Sequence, residues 1–206
     1  MATGPMTVQP ADATDRARFG RVAGLAAIGA GVAGLAYAVA FVVLQQPLLH
    51  GLFLMLGGLL MIVVLAGLSA WVRTADDSAA RLGLIFAAAG ALGAAAHGGY
   101  DLANAITPPP AAGPDLPFPA DPRGLLTFGA AGLGTLIFSV LLRRVGARGL
   151  GNLGLLLGVL QVMIYIARLT VLSPANPLLL IPVLLAGFAI NPVWLVWLGA
   201  ALRRRA

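Results

Sequence analysis

Residues 82–106 read LGLIFAAAGALGAAAHGGYDLANAI. As an α-helix rising about 1.5 Å per residue, this stretch exceeds the roughly 30 Å hydrocarbon core of a bilayer. It is nearly all small and apolar, yet it carries His97 and Asp101. An ionisable residue at membrane depth is costly, so each is a candidate functional residue. Ala87, Gly90, Ala94, His97, Asp101 and Asn104 follow one another at spacings of 3, 4, 3, 4 and 3. At about 100° per residue they form one helical stripe, small in its first half and polar in its second.

Five further apolar runs flank this one. The spans are expected at about 22–44, 48–71, 82–106, 124–142, 149–172 and 178–202, after a disordered tail over 1–20. Ala38-Val39-Ala40 resembles a signal-peptide cleavage site, but the apolar run continues through Leu44 and is too long for an h-region. The chain has 206 residues, 60% apolar and 10% charged. Soluble domains carry nearer 25% charge. The fold class is therefore all-α and polytopic, with six spans arranged as three αα-hairpins.

The net charge of +6 is not a nucleic-acid footprint, because the arginines gather at helix ends. The tail, the 72–81 and 143–148 loops and the C-terminus hold all of them but Arg123 and Arg168. The positive-inside rule then places both termini in the cytoplasm, in a bacterial inner membrane. The absence of cysteine removes disulfides, iron–sulfur clusters and thiol chemistry. Residues 107–123, TPPPAAGPDLPFPADPR, are too proline-rich for regular structure and form the longest connection. Ser78 is the expected cap of the third span. The returning helices begin alike, Pro47-Leu-Leu-His-Gly-Leu, Pro122-Arg-Gly-Leu-Leu and Pro177-Leu-Leu-Leu, which suggests a three-hairpin repeat.

The fifth span has a matching stripe: Gly154, Gly158, Gln161, Tyr165 and Arg168. Gly154-x-x-x-Gly158 is the form that lets membrane helices approach closely. The simplest packing joins the two stripes and pairs Asp101 with Arg168 at one height. Unpaired, either charge would cost about 2.5–3.5 kcal/mol at the bilayer centre. This predicts an outward-facing polar pocket lined by His97, Asp101, Asn104, Tyr165 and Arg168, bordered by Tyr37 and Tyr100. The bland alternative is that the polar pair only holds helices together and Arg168 snorkels to the interface.

The functional expectation is an integral membrane protein, not an enzyme, that binds or passes a small ligand, lipid or proton. The chain has no glutamate, no Gly-x-Ser-x-Gly, no His-Glu-x-x-His and no P-loop. An acid–base reaction at His97 and Asp101 stays open, with no nucleophile beside them. A haem b redox subunit with His50 and His97 as ligands is the first alternative, although helix rise puts them about 10 Å apart along the membrane normal. Otherwise no cofactor is expected, and two histidines are few for zinc. The second alternative is a structural subunit of a larger membrane complex, or a homo-oligomer, contacting partners through the proline-rich loop. Asn191-Pro192 should kink the sixth span, with Trp194 and Trp197 anchoring it at the interface.

His97-Gly-Gly-Tyr-Asp101, Asp121-Pro-Arg-Gly-Leu125, Tyr165-Ile-Ala-Arg168 and Asn191-Pro-Val-Trp194-Leu-Val-Trp-Leu-Gly199 together resemble uncharacterised small six-span bacterial membrane proteins, a domain of unknown function. The resemblance covers most of the chain after the first span. It implies the span count and no activity.

Overall fold

The computed structural model describes residues 13–107, 126–171 and 176–206. Six helices among them are long and apolar enough to cross a membrane: α1 (Ala17–Val43), α2 (Pro47–Val72), α3 (Asp77–Ile106), α4 (Leu126–Arg144), α5 (Arg148–Thr170) and α6 (Pro177–Arg204). No strand occurs among the described residues. Large apolar side chains such as Val32, Ile85 and Leu92 point outward, as lipid-facing residues do. The protein is an integral membrane protein in contact with the bilayer.

The helices run past the apolar segments at their arginine-bearing ends. Helix starts at Ala13, so residues 13–20 of the expected tail are helical. The cap of α3 is Asp76 and not Ser78, because the Asp76 carboxylate accepts from the Ala79 amide at 2.9 Å. Asp77 then bridges Arg73 at 3.3 Å and Arg81 at 2.7 Å. At the opposite end, which we call the hairpin end, Pro47 and Pro177 open α2 and α6, where a missing amide hydrogen costs nothing. The proline-rich loop and most of the Ser173–Pro177 turn lie outside the described residues.

Each helix packs on its chain neighbours, and α6 closes the ring against α1. This corrects the expected pairing of the third and fifth spans. Helix α4 stands between them. A Cβ at Gly90 would meet Ala131 of α4, and one at Gly158 would meet Leu136 of α4. Both stripes of small residues are used, but for the same intervening helix. Smallness admits a close neighbour without naming which one. The closest seam joins α2 to α3, where a Cβ at Gly58 would lie 2.6 Å from the Ala91 carbonyl oxygen. Only glycine fits there.

Three π-helical turns interrupt the ring: Val39–Val43 in α1, Leu126–Ala130 in α4 and Ala186–Ile190 in α6. The third directly precedes Asn191-Pro192, so the irregularity that proline imposes is taken up as a π turn. All three lie in the half of the ring nearer the hairpin end.

Candidate functional site

A closed ring of six helices leaves a space at its centre. That cavity measures about 850 Å³ and draws its lining from all six helices. Each π turn contributes to it: Phe41 and Val42, then Thr127 and Phe128, then Ala186, Gly187 and Phe188. Rare π turns concentrate at functional sites, which is a reason to look here. Most of the lining is apolar, with Tyr37, Gln45, His50, Thr127, Thr135, Gln161, Arg168 and Asn191 as its polar members.

The arginine-bearing end of the cavity is sealed. Phe138, Leu157, Leu65, Leu195 and Trp194 form a floor of fully buried side chains. The Trp194 indole donates to the Leu150 carbonyl at 3.1 Å and ties α6 to α5. Trp194 is therefore core and not an interfacial anchor, whereas Trp197 is half exposed. Below the floor α1 and α6 touch at Gly24 and Gly199.

Toward the hairpin end the same two helices part. They stay together up to Ala38 and Gly187, and the Pro177–Leu185 segment forms no seam with α1. Phe41 and Val42 on one side and Leu180 on the other line the cavity and are exposed. Among the described residues this makes a mouth that faces sideways, toward lipid. Gln45, at φ +51°, lines the same end.

The ionisable cluster sits beside this mouth. His50 Nε2 and His97 Nε2 each lie 3.4 Å from the same atom, Asp101 Oδ2. That is longer than the ~2.7–2.9 Å of a tight charge-assisted bond. Asp101 lies one helical turn from His97 on α3 and level with His50 on α2, because Gly51 packs on Leu102 and Gly98. Phe41 and Tyr37 set their rings edge-on to His50, with centroids 5.3 and 6.4 Å away. His50 Nδ1 is buried without a hydrogen-bond partner.

The sequence-predicted residues therefore divide. His97 and Asp101 come together, with His50 as the third member. Arg168 lines the cavity, and no Asp101–Arg168 ion pair is present among the described residues. The pair fails because α4 separates their helices and His50 of α2 reaches the carboxylate first. Tyr165 packs on Gly129 of α4, and neither it nor Asn104 lines the cavity. Sequence reasoning singled out Gln161 and Asn191 near the midplane without placing them in one space. It missed Phe41, Thr127 and Phe138, for which periodicity offers no signal. No group of three or more histidine, cysteine or carboxylate side chains suited to a metal ion occurs among the described residues.

The fold and site define a class: a six-helix integral membrane protein with a central cavity, sealed at one end and, among the described residues, open at the other. No family model, no curated protein and no solved structure matches the chain.

Proposed function

We propose that the protein binds an amphiphile, taking an apolar chain into the central cavity through the mouth between α1 and α6 with its polar head near the hairpin end. By the positive-inside rule that end faces the exterior, so the ligand comes from the outer half of the bilayer. The observation that carries this reading is the cavity's size and lining. At about 24 cal/mol per Å³, an enclosed dry void of 850 Å³ would cost on the order of 20 kcal/mol. A domain's whole stability is only about 5–15 kcal/mol, so a space this large is stable only open to its surroundings or occupied. A mostly apolar lining with polar groups among it suits an amphiphile better than water alone. Gln161 Oε1 is buried in the lining without a hydrogen-bond partner among the described residues. An unsatisfied polar atom costs about 1–3 kcal/mol, which a ligand hydroxyl or amide would offset.

The haem alternative loses support. Both imidazoles converge on one carboxylate oxygen, which leaves no gap of macrocycle width between them, and only His50 reaches the cavity. A proton route is less favoured than a binding site, because buried apolar side chains close the floor.

Native mass spectrometry of the full chain, released from a mild detergent, tests the reading. The wild type should retain about one amphiphile per chain. Gly57→Leu should lose it. A Cβ at Gly57 meets only Ala33 at 3.8 Å, so the new branch has room to occupy the cavity without unseating a helix. Equal retention by both proteins would defeat the proposal.

A further inference from the structure

We infer that the bound amphiphile has an anionic head and that Arg168 is its counter-charge at the mouth; this rests on the amphiphile reading above. Among the described lining residues Arg168 alone carries a fixed charge. It stands in the last turn of α5, at the hairpin end. No ion pair to its guanidinium is present among the described residues. The carboxylate of Asp101 is already engaged by His50 and His97. Tyr37, a cavity-lining ring, lies within electrostatic reach of both Arg168 and Asp101. Beside the mouth stands a carboxylate with two imidazole partners, and in the cavity wall a cation with no ion pair among the described residues.

Two bland explanations exist for an arginine at this position. A cation in the last turn of a helix is favoured by the macrodipole by about twofold to fivefold in equilibrium terms. A long side chain near a span's end also snorkels to water. Both explain an arginine that faces outward. Neither explains one that lines the central space with no ion-pair acceptor among the described residues. The planar guanidinium fork matches carboxylate and phosphate oxygens in a two-point contact, and it binds either more selectively than an ammonium does. The chemistry shared by the candidate heads is therefore a phosphodiester or a carboxylate on an apolar chain.

The test presents the detergent-purified full chain with an equimolar mixture of phosphatidylglycerol and phosphatidylcholine and counts retained lipid by native mass spectrometry. The wild type should favour the anionic lipid on the order of tenfold, the size of one charge-assisted contact. Arg168→Gln should hold lipid without preference, and Arg168→Lys should keep part of it. Equal retention of the two lipids by the wild type, or an unchanged preference in a folded Arg168→Gln, would overturn the inference while leaving the cavity reading intact. If Gly57→Leu retains as much lipid as the wild type, the cavity reading itself fails, and this inference with it. Competition with a long-chain fatty acid separates the two head chemistries. Displacement of phosphatidylglycerol by it supports a carboxylate head, and resistance supports a phosphodiester.

Discussion

The two ends of the α1–α6 seam are made from the same two helices and behave oppositely. At the arginine-bearing end glycine meets glycine, and a Cβ at Gly199 would lie 2.5 Å from the Gly24 carbonyl oxygen. At the hairpin end a Cβ at Gly187 would meet Ala38 at an ordinary 3.4 Å, and beyond that point the helices separate. The difference is one of backbone form. Regular α-helix with small residues closes the seam, while a π turn in each helix and Pro182 in α6 open it. A ring can thus be tightly closed below and parted above along a single pair of helices.

The largest effect is expected at the floor. Trp194→Ala should lower stability by about 3–5 kcal/mol, because it removes a buried aromatic and extends the cavity. Trp194→Phe, which keeps the ring but not the bond to Leu150, should cost only about 1 kcal/mol. Thermal unfolding in detergent, followed by circular dichroism, reads both. If Trp194→Ala melts like the wild type, the floor is not a structural seal.

Next come the paired glycines. Gly199→Ala should cost about 1–3 kcal/mol by overpacking. Gly187→Ala should be neutral or gain up to about 1 kcal/mol from helix propensity. Equal effects in the same melting assay would erase the contrast between the two ends.

Smaller still is the coupling around Asp101. A double-mutant cycle for Asp101→Ala with His50→Leu should show about 0.5–1.5 kcal/mol of interaction, and one for Asp101→Ala with Arg168→Leu less than about 0.5 kcal/mol. The reverse ranking would restore the ion pair that the sequence suggested.

The last test concerns access more than energy. The chain lacks cysteine, so single substitutions report without background. A membrane-impermeant maleimide should label Gln45→Cys and Gln46→Cys, in the exposed turn at the hairpin end, from outside intact cells and leave Leu65→Cys and Leu157→Cys unlabelled. Labelling only from the cytoplasmic side would invert the assigned topology.

The six spans were legible because hydropathy reports burial in lipid, and each helix end fell within a few residues of its expected position except at Asp77 and Ala13, where polar residues continue the helix. The order of the ring was not. Gly90 and Gly158 announce close packing, yet both sit against α4, and only three-dimensional closure decides that. The site was half legible. His97 and Asp101 stand out because ionisable groups are rare in spans, and i, i+4 spacing places them together. His50 was expected only as a haem ligand, because Asp101, which it meets at 3.4 Å, was assigned to Arg168. The cavity left no periodic trace, because it is a property of six helices at once.

The π turns have a consequence for descent. Each holds one residue more than regular α-helix would over the same hydrogen-bonded stretch, so each is equivalent to the insertion of a single codon. Removing one residue from Ala186–Ile190 would return it to regular α-helix and leave the residues on either side on nearly the same faces. Asn191 and Trp194 would still line the cavity, and Gly199 would keep its place against Gly24. A lineage could thus gain or lose the irregular turn beside the opening without re-registering the floor.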